Sequence, residues 1–215
     1  MKEKKTIAIA DDHSLFLDGL SSLLKEYEDL EILFLASDGK DLMNKLKTKA
    51  PQVVLLDIRM PEMDGIETLE VIRKKHPEIK VIMLTQHSEE QMIYHLMEKG
   101  ANGFLAKNTD IEVVVDAIHA VTDKGYYFND RVSKALAKGA SNRKMALPFN
   151  ACTLSSREIE VVKLICKQMT VKEIAETLCL SPRTIDTYKE NIFQKTGARN
   201  SVGVVFYAMQ YNLLD

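Results

Sequence analysis

The chain has 215 residues, 46% hydrophobic and 28% charged, with a net charge of −2. That length allows one large domain or two small ones, and the composition is that expected of soluble globular protein. No apolar run approaches the roughly 18–20 residues that span a bilayer, and the apolar stretch Ile7–Ala10 is too short for a signal peptide; the expectation is no membrane association and a cytoplasmic location. Cys152, Cys166 and Cys179 are odd in number and lack a C-x-x-C pair, which fits neither a zinc site nor a disulfide framework. Cys166 and Cys179 fall at apolar positions of helical patterns and read as reduced packing residues. The net charge hides an asymmetry: residues 1–130 carry 16 Lys and Arg against 24 Asp and Glu, whereas residues 131–215 carry 13 against 7. Two domains with different partners are expected, the basic one being the candidate for nucleic acid.

In chain order, short apolar runs at Thr6–Ala10, Glu31–Ala36, Val53–Leu56, Lys80–Leu84 and Gly103–Ala106 predict five strands. Amphipathic stretches separate them. Phe16, Leu20, Leu23, Leu24 and Tyr27 share a helical face, as do Leu42, Met43 and Leu46. Ile66, Leu69, Ile72 and Arg73 mark the third helix, and Met92, Leu96 and Met97 the fourth. A fifth runs from about Thr109 to Thr122, with an N-cap offered by Asn108-Thr109-Asp110. Five such alternations predict an α/β fold: a flavodoxin-like, doubly wound, five-stranded parallel sheet covered on both faces.

In such folds the ligand site lies beyond the carboxyl ends of the strands. Asp11 and Asp12 follow the first strand, Asp57 ends the third, Thr85 the fourth and Lys107 the fifth. Helix capping explains any one of these residues, but not five at the registered ends. Three clustered carboxylates repel one another unless a cation bridges them, and hard oxygen ligands in a small acidic cluster suit Mg²⁺. A carboxylate held there is a nucleophile for phosphoryl transfer. Lys107 and the metal would neutralise charge on the phosphoryl oxygens, and Thr85 would donate a hydrogen bond to one of them.

The motifs IADDHS, VVLLDIRMPEMDG, Leu84-Thr85 and GFLAK resemble the receiver domain of two-component response regulators, over residues 1–128. The resemblance implies that Asp57 accepts a phosphoryl group from a sensor histidine kinase. It implies that Mg²⁺ is held by Asp12, Asp57 and the main-chain carbonyl of Arg59, and by Asp11 through water. It also implies a switch formed by Thr85 and Phe104; a plain packing role for Phe104 stays open. Phe104 lacks the hydroxyl of the more usual tyrosine, and Asn108 stands where many receivers have proline, so no cis peptide is expected there. His87 is placed to overhang the phosphoryl group or to lie on the surface.

Tyr126-Tyr127-Phe128 reads as packing for the receiver's end. Residues 129–151 are the expected linker; Arg131–Lys138 could be helical, and Gly139–Ala151 reads as flexible. From residue 152 to 215 the pattern is helical. Thr153, Ser155 or Ser156 can cap a helix, with Glu158 at capping-box spacing from Ser155. A short helix over Val171–Leu178, a turn at Cys179-Leu180-Ser181, and a helix opening at Pro182 and ending at Gly197 describe a helix-turn-helix. A final helix spans Ser201–Tyr211.

The run from Leu154-Ser155-Ser156-Arg157-Glu158 through Ser181-Pro182-Arg183-Thr184 to Gly197 resembles the LuxR-type domain of NarL/FixJ-family regulators. The implied recognition helix is Pro182–Lys195. Arg183, Lys189 and Lys172 are expected to hold phosphates of double-stranded promoter DNA, with Thr184 beside them. Asp186, Thr187 and Glu190 would face the groove floor, where an acidic side chain can accept from cytosine. Ile185, Ile192 and Phe193 read as core. Gln168 replaces a glycine common in the family, so its turn is expected to be strained or slightly different. The family dimerises, and Val202, Val205, Phe206 and Met209 are the expected seam of a homodimer formed on activation, although the four could all be domestic core.

The expected function is a response-regulator transcription factor, with RNA polymerase as a further candidate partner and no enzymatic purpose beyond self-dephosphorylation. An aspartyl phosphatase would need a second acid where Arg59 stands. The alternative is a phosphorylation-independent DNA binder or adaptor.

Overall fold

The computed structural model describes residues 4–86, 90–134, 154–211 and 213. Five parallel strands, β1 (Lys5–Ala10), β2 (Leu30–Ala36), β3 (Val53–Asp57), β4 (Lys80–Thr85) and β5 (Gly103–Ala106), lie in the order β2-β1-β3-β4-β5. Helices α1 (Ser14–Leu24), α2 (Gly39–Leu46), α3 (Gly65–Lys75), α4 (Glu90–Glu98) and α5 (Ile111–Asp123) connect and follow them. Alternate strand residues serve opposite faces. Ile7, Ile9, Val53, Leu55, Ile82, Leu84 and Leu105 pack with Leu17, Leu20 and Leu24 of α1 and with the apolar stripe of α5. Ala8, Ala10, Val54, Leu56, Val81, Met83 and Phe104 pack with α2, α3 and α4. Burial on both faces is why the strands read as unbroken apolar runs rather than alternating ones.

Helix α5 begins at Ile111, the first residue of its apolar stripe and two residues after the expected start at about Thr109. Asp110 stands at the N-cap without a side-chain hydrogen bond. No cis peptide occurs among the described residues. His87, Cys152 and the expected flexible segment 139–151 lie outside the described residues; residues 130–134 are helical.

The C-terminal part comprises α6 (Ser156–Cys166), α7 (Val171–Leu178), α8 (Pro182–Thr196) and α9 (Ser201–Gln210). Their boundaries follow local chemistry. Ser155 and Glu158 form a reciprocal capping box, as do Thr170 and Glu173. Pro182 opens α8 and Gly197 closes it in the left-handed region, at φ 72°. Gln168 has φ 61°, the strained turn that its replacement of glycine implies. Cys166 is half-buried, but Cys179 is exposed, contrary to the packing role expected of it. It occupies the left-handed C-cap of α7 at φ 53°, which turns its side chain out of the helical pattern that the sequence suggested.

The two halves touch. The apolar core on the α3–α4 side continues into residues of α6, α8 and α9. Tyr126, expected to pack only the receiver's end, instead reaches across, and its hydroxyl donates to the carbonyl of Ile165 in α6. Asn200 Nδ2 donates to the carbonyl of Gly100 at 2.7 Å and more distantly to that of Ala101 at 3.3 Å. The ring of Tyr94 in α4 meets that of Phe206 in α9 edge to face, with centroids 5.1 Å apart. Beneath this contact, buried Arg73 donates to the carbonyls of Pro77 and Ile79 and to Asn102 Oδ1. Asn102 Nδ2 in turn donates to the carbonyl of Gly125.

Candidate functional site

Parallel pairing brings the carboxyl ends of β1, β3, β4 and β5 to one edge. Asp57 pairs with Leu84, and Thr85 with Ala106. Asp11 and Asp57 are buried there, whereas Asp12 is exposed. Oxygens of Asp11, Asp12 and Asp57, with a ring nitrogen of His13, all lie within 4.8 Å of one another. The Lys107 ammonium stands 2.7 Å from Asp11 Oδ2 and 3.0 Å from Asp57 Oδ2. It also lies 5.0 Å from the centroid of the Phe16 ring. The main chain of Lys107 donates to the Thr85 carbonyl at 2.8 Å, which ties the β4 and β5 ends together. The five residues expected at the strand ends are therefore assembled.

The loop after Asp57 is shaped by Gly65. A Cβ there would sit 2.0 Å from the Asp57 carbonyl oxygen, so only glycine lets α3 start so close to the acidic site. Its N–H donates to the Ile58 carbonyl at 2.9 Å, and Asp64 caps α3 through Ile66 and Glu67. Arg59 is exposed in this loop, Thr85 is buried, and Phe104 is buried entirely within the core.

Burial raises the Asp57 carboxyl above its ordinary value, opposed by the Lys107 hydrogen bond and reinforced by Asp11. Burial works against the Lys107 ammonium, but Asp11 and Asp57 outweigh it and raise it. Asp11 Oδ2 is buried and accepts no hydrogen bond, although it pairs with the Lys107 ammonium at 2.7 Å. One cation does not satisfy three carboxylates, and the donor set fits a hard divalent ion, with Asp11, Asp12 and Asp57 to hold it. His13 is a neighbour that sequence reasoning left unassigned. Its N–H donates to Asp11 Oδ1 at 2.9 Å, and its ring nitrogen lies 2.8 Å from Asp12 Oδ1. Its position directly after the Asp pair was the available signal.

A second set of residues clusters on α7 and α8. Lys172 is exposed in the first turn of α7. Ser181 caps α8 by accepting from the Thr184 N–H at 3.1 Å, and Thr184 is half-buried. Arg183, Asp186, Thr187 and Glu190 are exposed, while Lys189 is half-buried. Ile185 and Ile192 are in the core and Phe193 packs against it. Burial lowers the Lys189 ammonium, and Asp186 opposes this. Lys80, at the start of β4, is pushed down to about 8, first by burial, then by Lys189 and Arg73, with Glu78 and Asp186 opposing. Lys189 and Asp186 of α8 therefore act on Lys80 at the amino end of β4. Of the four expected seam residues, Val202, Val205 and Phe206 are buried and Met209 is half-buried, all within this one chain. Among the described residues no helix is long and apolar enough to cross a membrane.

Comparison with known proteins agrees with this geometry. Residues 7–119 match the response regulator receiver domain, and residues 152–208 match the bacterial regulatory proteins of the luxR family. The chain is 31% identical to the response regulator GacA of Pseudomonas aeruginosa, over 97% of each chain. It is 31% identical to the oxygen regulatory protein NreC of Staphylococcus carnosus, over 97% of this chain and 99% of that one. Among solved structures, RcsB of Salmonella enterica serovar Typhimurium, bound to the rprA promoter with a phosphomimetic, matches with a TM-score of 0.57 and 27% identity. That match covers 97% of this chain and 100% of the other. The chain belongs to the NarL/FixJ family of response regulators, DNA-binding transcription regulators in which a receiver domain precedes a LuxR-type helix-turn-helix domain.

Proposed function

We propose that this regulator is switched by phosphorylation of Asp57 and binds promoter DNA as a dimer. The observation that carries the reading is the buried Asp57 carboxylate 3.0 Å from Lys107, with Asp11 and Asp12 beside it. A carboxylate oxygen of Asp57 attacks the phosphorus of a histidine kinase's phosphoimidazole. The P–O bond forms, the P–N bond breaks, and the imidazole leaves with the electron pair and takes up a proton. Lys107 meets the developing charge on the phosphoryl oxygens, and Thr85 offers its hydroxyl to one of them. A Mg²⁺ ion held by Asp12, Asp57 and the Arg59 carbonyl, and by Asp11 through water, would supply further positive charge at that place. A donor protein has room to approach: Leu15 is 85% exposed, and an apolar cleft between α1 and α5, lined by Phe16, Leu20, Ile111 and Val114, opens beside Lys107.

In the DNA-binding half, Arg183, Lys189 and Lys172 take phosphates while Thr187, Asp186 and Glu190 face the bases, with Thr184 at the helix start. Sedimentation with and without beryllofluoride and Mg²⁺, on wild type and Asp57→Asn, followed by DNA binding, tests the proposal. Wild type alone should dimerise and bind more tightly. If beryllofluoride changes neither property, the receiver does not control the DNA-binding domain, and a phosphorylation-independent binder takes its place.

A further inference from the structure

Helix α1 starts without a side-chain cap. Its N-cap position is held by His13, whose ring makes no hydrogen bond to the helix. Serine, threonine, aspartate or asparagine is the usual choice there, because a short side chain satisfies an orphan N–H of the first turn. The imidazole is turned the other way. Its Nδ1 lies 2.8 Å from Asp12 Oδ1 and 3.2 Å from Asp11 Oδ1. The side chain is 59% exposed, so water was open to it, yet this nitrogen points at two carboxylates. The backbone holds it there: the His13 main-chain N–H donates to Asp11 Oδ1 at 2.9 Å. One ligand atom from each of Asp11, Asp12, His13 and Asp57 lies within 4.8 Å of all the others, close enough to share an ion. Asp11 Oδ2, buried and without a hydrogen bond, is an acceptor in reserve for what the ion carries. A cleft lined by His13, Leu15, Phe16, Gln86, Lys107 and Asn108 opens beside these groups and gives an ion its way in.

We infer that His13 is a nitrogen ligand of the acidic site and sets its metal preference, turning a site for Mg²⁺ into one that favours a first-row transition dication such as Mn²⁺ or Co²⁺. The inference rests on the reading above that the site holds a divalent cation, and names the residue that chooses which. The argument is one of donor chemistry. A neutral imidazole whose proton sits on Nε2 presents a lone pair at Nδ1. Mg²⁺ takes oxygen ligands, dehydrates reluctantly and gains little from that lone pair. Mn²⁺ accepts carboxylate oxygen and imidazole nitrogen together, and Co²⁺ binds nitrogen more strongly still. Three carboxylates with one imidazole therefore discriminate between ions that three carboxylates alone would treat more evenly. A ring that merely pairs with Asp12 and Asp11 has the opposite signature. It would compete with every cation for those oxygens, and its removal would tighten all of them alike.

Calorimetric titration of the untagged full chain with MgCl₂, MnCl₂ and CoCl₂ at constant neutral pH reads the preference. His13→Phe keeps a ring and the main-chain N–H but removes both nitrogens. It should weaken Co²⁺ about tenfold or more and Mn²⁺ by a smaller factor, while Mg²⁺ changes less than about threefold. Asp12→Asn should weaken all three ions, which separates this site from ions held by histidines elsewhere on the surface. Pulsed electron paramagnetic resonance of bound Mn²⁺ gives a readout that a merely structural role would not move. Wild type should show coupling to a ligand nitrogen, and His13→Phe should lose it. Histidine labelled with the heavier nitrogen isotope should change that coupling in the unaltered chain, which keeps the test open if the variant misfolds. Unchanged Co²⁺ affinity in His13→Phe, or Mn²⁺ bound through Asp12 without nitrogen coupling, overturns the inference and leaves the Mg²⁺ site standing. Equal tightening of all three ions overturns it in favour of simple pairing. If no ion binds wild type more tightly than Asp12→Asn, the metal reading itself fails and the inference falls with it.

Discussion

Replacing Lys107 with Met should destabilise the receiver in a way that depends on pH and is partly repaired by a divalent cation. The ammonium is 9% exposed and lies within 3.0 Å of both Asp11 and Asp57, whose side chains are 0% and 5% exposed. Stripping the cation from a buried ion pair costs about 3–5 kcal/mol, because the partner charge is left uncompensated. This site opens to solvent at Asp12, and Asp57, already raised, can take up a proton in place of the lost ammonium. The lower end, about 3 kcal/mol at pH 7.5, is therefore expected. With a urea m-value of about 2 kcal/mol/M, the unfolding midpoint should fall by about 1.5 M. The sign with pH follows from the raised carboxyl. A folded-state value above the unfolded one favours the protonated fold, so the deficit shrinks as pH falls towards the carboxylate range and grows as pH rises out of it. Urea titrations followed by circular dichroism at pH 5.5 and 7.5, with and without added Mg²⁺, check this. A midpoint shift under about 0.3 M at pH 7.5, or Mg²⁺ stabilising both proteins equally, would refute the electrostatic account.

Three further outcomes are expected. Lys80 binds its proton less tightly in the docked arrangement, at about 8 against 10.5 ordinarily, so docking should strengthen as pH rises from 8 towards 10.5 and be weakest below 8. The groups around it are Lys189, Arg73, Glu78 and Asp186. DNA affinity of the unphosphorylated chain, relative to a Lys80→Met variant, should fall between pH 7 and 9, and parallel profiles would contradict this. Gln168→Gly, at φ 61°, should stabilise the C-terminal domain by about 0.5–1 kcal/mol in thermal unfolding; destabilisation would show that the side chain earns its conformation by contacts. Arg183→Ala should weaken binding to every DNA sequence alike and reduce the slope of log affinity against log salt by about one; a sequence-selective loss would make Arg183 a base reader.

The receiver was legible because its signals are local and repeated. Strand runs and strand-end residues recur in register, so Asp11, Asp12, Asp57, Thr85 and Lys107 could be placed together without knowing any distance. The helices of the C-terminal half were legible through their caps: Ser155 with Glu158, Ser181 before Pro182, and Gly197. The contact between the halves was not legible. It depends on Asn200, whose sequence signal is only that of an N-cap, and on Tyr126, whose aromatic run looked like local packing. Docking also half-buries Lys80 and Lys189, two residues that any reading by residue type places in water. Cys179 misled for a smaller reason: helical spacing continues across a residue that has already left the helix.

The Tyr126 hydroxyl at the Ile165 carbonyl bears on how the chain melts. Burying that hydroxyl against the other domain, and continuing one apolar core through both, makes each half part of the other's solvent cover. The resting chain should therefore lose its structure in a single heat-absorption peak rather than as two independent domains. Separation of the halves would appear in a calorimeter as that peak dividing in two, with the C-terminal domain unfolding at the lower temperature because its smaller core keeps less of its surface out of water.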